Sequence, residues 1–589
     1  MSTDLSHKST QNSSNHDEHE LNWWRTYVFS TDHKIIGIQY GITSLFFLLF
    51  GFGLMMLMRW QLAFSGQPLP FLGKFLGEAN MPGGVMVPEF YNQLGAMHGT
   101  IMVFLGIVPL SVGAFGNFVV PLQIGAPDMA FPKLNMVSYW CYFVGGLVML
   151  GSFFVPGGAA SSGWTSYTPL ADIATTGQTW WIIGMVFLIT SSLLGAVNFI
   201  VTIFQLRAKG MGFMRLPFFV WAQLVTAFLL IFAFPPLEAA AVMQLMDRVA
   251  HTSFFLPSGL VVSGQPLNVS GGGNTLLWQH LFWFLAHPEV YVLVLPSMGI
   301  VAEIIANNTR KPLWGYKSMV FSVIFIGFMS FIVWAHHMFL TGMGTVMSAF
   351  FQATTMIISI PSVIILTVFF ISLWGGSIRF TTPMLFALAF LPMFGIGGLT
   401  GLPLGLSTAD IYLHDTYYVI AHFHYIVAPG TIFALFAGIY YWFPKMTGRK
   451  LNEVLGHLHF WPSLICMNLI FMPMFIQGMA GIQRRLYDGG AEYAHAQGTI
   501  HLNVLISCAA WIMALFQIPF IVNLWMSMFK GPKANDNPWE ATTLEWATPT
   551  PPPHGNFTKI PEVYRGPYEY SVPGATTDFT PQYQPSTTN

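Results

Sequence analysis

The sequence predicts an all-α integral membrane protein of about twelve transmembrane helices, with both termini on the cytoplasmic side. Of its 589 residues, 54% are hydrophobic and only 8% are charged, whereas a soluble domain carries about 25% charged residues. Twelve apolar runs reach the roughly 20 residues that a helix needs to cross a hydrocarbon core of about 30 Å. Lysine and arginine gather in alternate loops. No soluble catalytic domain is left, so any chemistry lies in the membrane.

The predicted spans follow the apolar runs in order along the chain. They begin near residues 35, 93, 136, 180, 216, 277, 317, 345, 382, 411, 457 and 500. Short cytoplasmic loops are enriched in lysine and arginine. Sixteen of these residues fall on the side of the N-terminus and five on the other side. The N-terminus therefore faces the cytoplasm, and an even number of spans returns the C-terminus to that side.

Polar segments flank this twelve-helix core, which we place at residues 31–530. Residues 1–30 are predicted to be a polar cytoplasmic tail, without the pattern of a signal peptide. Residues 531–589 are rich in proline and threonine and lack apolar periodicity, so they are predicted to be a mostly unfolded cytoplasmic extension. The net charge of −1 and the scattered basic residues argue against nucleic acid as a partner. Three isolated cysteines indicate neither disulfides nor a thiolate metal site.

Six histidines lie well inside the predicted spans, where ionisable side chains are costly and mark functional sites. Counted from the span ends at about 1.5 Å per residue, all six fall in one layer in the outer half of the bilayer. They are His98, His287, His336, His337, His422 and His424. One such histidine alone is more often a packing residue, but six in one layer indicate bound cofactors.

Spacing divides these histidines among different centres. His422 and His424 are two residues apart, so they point about 200° apart around a helix and cannot bind one centre. One helix therefore serves two cofactors, and His98 pairs with one of its histidines across a gap, as in a six-coordinate haem. Three histidines remain: His287, His336 and His337. Together they offer three imidazoles to one site, which suits copper, zinc or iron.

Five motifs resemble subunit I of the haem–copper oxygen reductases, the cytochrome c oxidase family. They are AMHGTIMVF (96–104), GNFVVPLQIGAPDMAFPKLNMVSYW (116–140), AHPEVY (286–291), VWAHHMF (333–339) and LHDTYYVIAHFHY (413–425). The resemblance runs from about Thr31 to about Phe529, and the tail phrase NPWEATTLEWATPTPPPHGNF is similar to bacterial members. It implies a terminal oxidase in the bacterial inner membrane that reduces O₂ to water and pumps protons. Subunits II and III are the implied partners, alongside membrane lipid.

The resemblance also implies a role for each histidine. His98 and His424 would ligate a low-spin haem, and His422 would be the proximal ligand of a high-spin haem; we expect both to be haem A. One copper ion would be held by His287, His336 and His337. Tyr291 lies four residues after the first of these, on the same helical face. In the family this tyrosine is joined covalently to that histidine and supplies an electron and a proton for breaking the O–O bond.

Glu289 is the second catalytic residue that the resemblance implies. It lies two residues from His287 and so points to a different side of the helix. Burial disfavours the ionised form of a carboxyl group, which suits a proton carrier. In the family this glutamate ends a proton path that begins at a cytoplasmic aspartate, here Asp128. Matching polar positions along the path are Asn117, Asn135, Ser191, Ser192 and Asn198.

Further matches lie near the haem edges and the subunit junction. Two adjacent guanidinium groups in an outer loop, Arg484 and Arg485, would pair with haem propionates. A magnesium ion at the junction with subunit II would take His414 and Asp415. Weaker matches near the haem layer are Arg59, Trp164 and Trp283.

The chain departs from the family at the second proton path. Many family members mark this path with a lysine on span 8, but here the stretch TTMIISIPSVIILTVF places Ile365 at that position. Ala302 stands where a serine is expected, while Thr355 and Ser362 keep the expected hydroxyl groups. An isoleucine cannot carry a proton, so the usual route is in doubt.

We hypothesise that Glu303, at the inner end of span 6, supplies Tyr291 with protons by an altered route. Ser359, Ser362 and bound water would complete this route. The alternative is that Glu303 is an interfacial carboxylate without a role in proton transfer.

Other functions stay open from the sequence alone. A nitric oxide reductase of the same superfamily would typically carry iron in place of copper and lack the histidine–tyrosine pair. A twelve-span transporter would carry its polar groups at midplane and leaves six layered histidines unexplained. Quinol-using relatives carry extra polar residues around the first two spans, whereas span 1 has no charge here and Phe90 replaces a histidine. Cytochrome c is therefore the predicted electron donor.

Overall fold

The computed structural model describes residues 22–267 and 271–585, and within them the chain forms a bundle of long helices. Twelve are long and apolar enough to cross a membrane. They are α1 His33–Ala63, α2 Pro88–Ile124, α3 Pro132–Phe154, α4 Thr176–Gln205, α5 Phe218–Val249, α6 Thr275–Thr309, α7 Tyr316–Thr341, α8 Gly344–Leu373, α9 Thr382–Leu404, α10 Tyr417–Thr447, α11 Glu453–Met479 and α12 Leu502–Lys530. The predicted all-α membrane fold of about twelve spans is therefore confirmed.

Local sequence signals explain where helices begin and bend. The side chains of Asp32 and Asn274 accept hydrogen bonds from first-turn backbone N–H groups of α1 and α6, at 2.8 and 2.9 Å. Such caps satisfy donors that a helix N-terminus leaves free. Pro288 and Pro296 lie inside α6, where each removes a backbone N–H. Neighbouring helices enclose α6 at this point, so the freed carbonyl groups do not meet lipid.

Helices α2 and α6 form the centre of the bundle. In their most apolar windows, 94% of α2 and 89% of α6 is buried, against 28% of α1 and 33% of α8 and α12. Helix α6 packs against α5, α9 and α10. Polar side chains on α6 therefore face other helices, which is where ionisable groups in membranes act.

Short elements cover the outer side of the bundle. The strands β1 Val261–Val262 and β2 Gln265–Pro266 pair antiparallel in the loop before α6. A short helix, Ser407–Leu413, precedes α10. At the other end of the chain, residues 1–21 of the predicted N-terminal tail lie outside the described residues.

The C-terminal segment, residues 531–585, differs from the prediction of a mostly unfolded extension. It packs along the inner ends of the helices, and the ammonium group of Lys445 donates hydrogen bonds to the backbone oxygens of Asp536 and Thr548 at 2.9 and 2.8 Å. Large side chains scattered among the prolines are buried there: Leu544, Trp546, Val563, Tyr568 and Tyr570. Such anchors have no helical or strand period, which is why composition alone predicts disorder.

Candidate metal and cofactor site

Three imidazoles meet near the outer ends of α6 and α7. Nδ1 of His287 lies 3.3 Å from Nε2 of His337, which lies 3.1 Å from Nε2 of His336. The candidate ligand atoms of all three lie within 4.8 Å of one another. No other three histidine, cysteine or acidic side chains in residues 22–267 and 271–585 have this geometry. The three nitrogens fit one metal ion that prefers imidazole ligands.

Helix α8 orients one of these rings. The hydroxyl group of Thr355 lies 2.8 Å from Nδ1 of His336 and donates its proton to the carbonyl oxygen of Phe351 at 2.5 Å. Because a hydroxyl group has one proton, its oxygen must accept from the Nδ1–H of His336. Nε2 of His336 is then unprotonated and points at the other two imidazoles. The structure thus places Thr355, a residue assigned to a proton path by resemblance, against the candidate metal site.

Aromatic contacts hold the other two rings. The indole of Trp283 stacks on His337 with ring centroids 3.9 Å apart and an angle of 12°, and its N–H donates to the hydroxyl of Tyr167 at 2.5 Å. The rings of His287 and Tyr291 have centroids 5.0 Å apart. Nε2 of His287 is buried without a hydrogen-bond partner among the described residues. Nδ1 is therefore the nitrogen that His287 turns to the cluster.

Three further histidines turn Nδ1 to a backbone carbonyl oxygen. A carbonyl oxygen only accepts, so each Nδ1 carries a proton and each Nε2 keeps its lone pair. Backbone partners of this kind orient metal-binding histidines. The pairs are His98 with Gly51 at 2.8 Å, His422 with Gly397 at 2.9 Å and His424 with Ile420 at 2.8 Å.

The two histidines of α10 face different neighbours. His424 stacks on Phe471 with ring centroids 4.6 Å apart and lies within electrostatic range of His98. His422 lies within electrostatic range of His336. His424 of α10 therefore lies near His98 of α2, whereas His422 faces the three-histidine cluster.

The side chains around His98 fit a bound group with acceptor atoms at its edge. Arg59 is 2% exposed, and its Nε and one terminal nitrogen have no hydrogen-bond partner among the described residues. A buried cation without partners is costly, so an acceptor on a bound group would stabilise it. Trp164 packs on Gly99, where an added Cβ would lie 3.0 Å from the tryptophan side chain. These features and the free Nε2 atoms fit haem.

Charged groups gather in the outer loops above α9 and α11. Arg484 forms a close ion pair with Asp415. His414 lies between Asp410 and Asp415, with nitrogen–oxygen distances of 3.4 and 3.7 Å. Burial and the neighbouring Arg484 lower the pKa of Arg485 to about 10, so it is still a cation at neutral pH. These two acids and His414 do not form a three-ligand metal cluster within the described residues.

A small internal cavity lies among α1 to α5. Its volume is about 40 Å³, and one water molecule needs roughly 10–15 Å³. The polar side chains that line it are Tyr40, Asn117, Ser138, Tyr142, Ser191 and Ser192. The sequence does not single out Tyr40, Ser138 or Tyr142. A hydroxyl group in the apolar stretch IQYGITSLFF is the signal that points to Tyr40, which lies 2.9 Å from the Ser138 hydroxyl.

The inner loop between α2 and α3 carries Asp128. Burial raises the pKa of Asp128, and the nearby His33 partly offsets this effect. The side chain of Asn198 accepts a backbone hydrogen bond at 2.9 Å and so holds this loop to α4. Asn135 donates to the side-chain oxygen of Asn117 at 2.7 Å, and Asn117 lines the cavity. The matched polar residues therefore lie between the inner loop and the cavity.

The remaining predicted positions lie on α6 and α8. Glu289 is 1% exposed, and both carboxyl oxygens lack hydrogen-bond partners among the described residues. Ile365 is fully buried on α8. The hydroxyl of Ser359 donates to the carbonyl oxygen of Met356 at 2.6 Å, and no hydrogen bond joins it or Ser362 to the side chain of Glu303 in the part of the chain that is described. The carboxyl group of Glu303 instead accepts hydrogen bonds from the start of α5 and from the C-terminal segment.

Comparison with known proteins gives one consistent family. The model of the family described as cytochrome C and quinol oxidase polypeptide I matches residues 35–512. The alternative cytochrome c oxidase subunit 1 of Bradyrhizobium diazoefficiens is 45% identical over 577 residues, covering 97% of this chain and 95% of the relative. The cytochrome c oxidase subunit 1 of a Synechocystis species is 44% identical over 551 residues, covering 93% of each.

A third relative and a solved structure agree. The cytochrome c oxidase subunit 1 of Bacillus sp. PS3 is 43% identical over 540 residues, covering 91% of this chain and 82% of the relative. A cryo-EM structure of a haem–copper terminal oxidase dimer superimposes with a TM-score of 0.69 at 21% identity and covers 85% of both chains. At that identity the superposition shows a shared fold only.

Proposed function

Because this chain belongs to the cytochrome c and quinol oxidase polypeptide I family, we propose that it receives electrons from cytochrome c and couples oxygen reduction to proton pumping. The chain is the catalytic subunit of a haem–copper terminal oxidase and a multi-pass membrane protein. The relatives are named cytochrome c oxidases, which favours this reading over a nitric oxide reductase or a quinol oxidase. Residues 31–530 form the oxidase core in this proposal.

The cluster of His287, His336 and His337 carries the proposal. His287, His336 and His337 would hold a copper ion and His422 would hold a haem, and the two groups would supply electrons for the reduction of O₂. The Thr355 and Trp283 contacts hold the rings so that their free nitrogens converge. The hydroxyl oxygen of Tyr291 can hold and release a proton beside this cluster. The unpartnered Nε2 of His287 supports the covalent link to Tyr291 that the family implies.

The electron-entry side of the proposal uses His98 and His424. Their free Nε2 atoms would hold the low-spin haem, and Arg59 would bind a polar group on it. Arg484 and Arg485 would hold propionates, because both are cations at the outer boundary of the bundle. We assign haem A to both haem sites, since the relatives are named cytochrome c oxidases.

The proposed proton route starts at Asp128 on the inner side. Protons pass the Asn135 and Asn117 side chains into the cavity lined by Ser191 and reach Glu289, which can hold a proton on either unpartnered oxygen. Water in the cavity supplies the steps between side chains. Ser192 lines the same cavity, and Asn198 keeps the loop of Asp128 in place. The route draws protons from the cytoplasmic side, where lysine and arginine are concentrated.

The proposed partners and location follow from the same family. Subunit II would bring a dinuclear copper centre that passes electrons from cytochrome c to this chain, and subunit III would complete the complex. At the junction with subunit II, His414 and Asp415 would share a magnesium ion with ligands from that subunit, because the described residues form no three-ligand cluster there. The complex would reside in a bacterial inner membrane, with lipid around α1, α8 and α12, the least buried helices.

Purification of the complex with a pyridine haemochrome spectrum, metal analysis and turnover tests this function. We expect two haems A and one copper ion per copy of this chain, beyond any copper in subunit II, and O₂ consumption driven by reduced cytochrome c. Proton release on the outer side of reconstituted vesicles should accompany turnover. Iron in place of the copper, or turnover with quinol alone, would contradict the proposal.

A further inference from the structure

Two buried carboxyl groups lie within electrostatic range of each other near the inner end of α6, far from the histidine cluster. Glu303 is 3% exposed, and Glu545, from the C-terminal segment, is fully buried. The two carboxyl groups interact electrostatically. Neither forms a salt bridge within residues 22–267 and 271–585. This pair has no part in the proton route from Asp128.

The C-terminal segment closes over Glu303. The hydroxyl of Tyr568 donates to Oε1 of Glu303 at 2.6 Å and accepts from the backbone N–H of Phe218 at 2.7 Å. The backbone N–H of Phe219 also donates to Oε1 of Glu303, at 3.2 Å. Glu303 therefore sits at the N-terminus of α5, and Tyr568 holds it there.

Glu545 is enclosed without a counter-ion of its own. Oε1 accepts from the side chain of Gln123 at 3.0 Å, and Oε2 is buried with no partner among the described residues. Burial raises the pKa of Glu545. Lys445 lies within electrostatic range, but its ammonium group donates to two backbone oxygens and to Thr550. Burial and repulsion between like charges both oppose ionisation, so this setting suits carboxyl groups that bind and release a proton.

Polar groups lie between this pair and the histidine cluster. At about 1.5 Å per residue, Glu303 is about 18 Å along α6 from Tyr291, with Ser297 midway. The Ser297 hydroxyl lies 3.5 Å from the backbone oxygen of Thr431 on α10. The Thr431 hydroxyl is buried without a partner among the described residues, and buried polar atoms of this kind bind internal water. Hydroxyl groups that can pass a proton therefore lie between α6 and α10, whereas α8 carries Ile365, which cannot pass one.

We propose that Glu303 and Glu545 form a proton-uptake site on the inner side, which supplies the histidine cluster past Ser297 and Thr431. A proton leaves the Glu303 carboxyl toward the cluster and is replaced from the inner aqueous phase through Glu545, so the pair returns to its starting charge. Tyr568 is a positioning residue that holds the Glu303 carboxyl. This proposal rests on the oxidase function proposed above.

The test is Glu303→Gln in the complete complex. Glutamine keeps an oxygen that accepts from Tyr568 and Phe219, so the cap of α5 is preserved while the proton-carrying group is lost. We expect anaerobic reduction of the high-spin haem to slow at least tenfold in stopped-flow spectra, with reduction of the low-spin haem unchanged. A carboxyl band should also disappear from the redox difference infrared spectrum. Unchanged high-spin haem reduction would overturn the proposal.

Two tail tyrosines provide a matched control. Tyr568→Phe removes the hydrogen bond to Glu303 and should slow high-spin haem reduction about threefold. Tyr570→Phe alters an equally buried tyrosine whose hydroxyl accepts from Asn307 at 3.2 Å, and it should behave like the parent. Equal effects of both changes would show a structural role for the tail and contradict the positioning role. If the parent complex reduces O₂ and Glu303→Gln reduces its high-spin haem at the same rate, only this proposal fails. If the parent complex does not reduce O₂, the proposed function fails.

Discussion

The hydroxyl of Thr355 accepts a hydrogen bond from Nδ1 of His336 at 2.8 Å while it donates to the carbonyl oxygen of Phe351. This relay reaches from the backbone of α8 to an imidazole of α7. It selects the tautomer with a free Nε2, so that nitrogen is able to bind a metal ion. The candidate metal site is therefore built by α8 as well as by α6 and α7.

Thr355→Val should weaken copper binding by about 10–100-fold, the usual effect of removing the hydrogen-bond partner of a metal-binding histidine. Valine has the same shape but cannot accept from Nδ1–H, so the ring loses its orientation. Copper per haem after dialysis against a graded chelator measures the effect. Thr354→Val is the matched control, because Thr354 donates to backbone oxygens of α7 and α8 and does not touch His336. Equal copper loss in both variants would contradict the relay.

Single histidine replacements should separate the two kinds of site. His98→Asn removes a free Nε2 on α2, so we expect the low-spin haem spectrum to be lost while copper is retained. His336→Asn should do the reverse, with less than one-tenth of the copper left and the low-spin haem spectrum intact. Haemochrome spectra and metal analysis of both variants measure these outcomes. Loss of both cofactors in each variant would indicate misfolding and would contradict the division.

The fold and the histidine layer could be predicted because both depend on local periods in the sequence. Apolar runs give the spans, and the two-residue separation of His422 and His424 gives opposite helix faces whatever the rest of the chain does. Contacts between distant segments leave no such local signal. Tyr40 meets Ser138 across two helices, and no spacing rule joins them.

The inner face of the bundle shows even more clearly that contacts between distant segments cannot be predicted from local sequence. Glu303 receives its hydrogen bond from Tyr568, which lies 265 residues later in the chain. The tail composition predicts disorder because prolines prevent regular elements, yet its single aromatic residues fill gaps between helix ends. The isoleucine at position 365 points to an altered proton route. Only the three-dimensional structure, however, shows that Glu545 lies within electrostatic range of Glu303.

The stability of the outer loops should depend on the ionisation of Asp172. Both its carboxyl oxygens are buried without partners among the described residues. Burial, followed by the charge of Asp247, raises its pKa to about 7, which Arg248 only partly offsets. The native state thus binds a proton more tightly than the unfolded chain, so this contribution to stability is lost as pH rises from about 4 to about 7.

Asp172→Asn should remove this pH dependence. We expect the apparent Tm of the variant, relative to the parent, to increase as pH rises through that window and to level off above it. Thermal unfolding of the detergent-solubilised complex at several pH values measures the difference. Glu492→Gln, at an exposed carboxylate in another outer loop, serves as the control for the loss of a carboxyl group away from Asp172. A constant difference between Asp172→Asn and the parent would show that Asp172 is not the titrating group.

The C-terminal segment should detach when its buried cation is removed. Lys445 is fully buried, and its ammonium group donates to backbone oxygens of Asp536 and Thr548 and to the hydroxyl of Thr550, at 2.8–2.9 Å. Lys445→Met keeps the side-chain length but leaves these acceptors without their donor, which for the buried carbonyl oxygen of Thr548 costs about 1–3 kcal/mol. Limited digestion with proteinase K, followed by mass spectrometry, should show cleavage after residue 531 at least tenfold faster than in the parent. Lys559→Met, at an exposed lysine of the same segment, should leave the rate unchanged; equal cleavage of Lys445→Met and the parent would mean that the tail is held by its aromatic anchors alone.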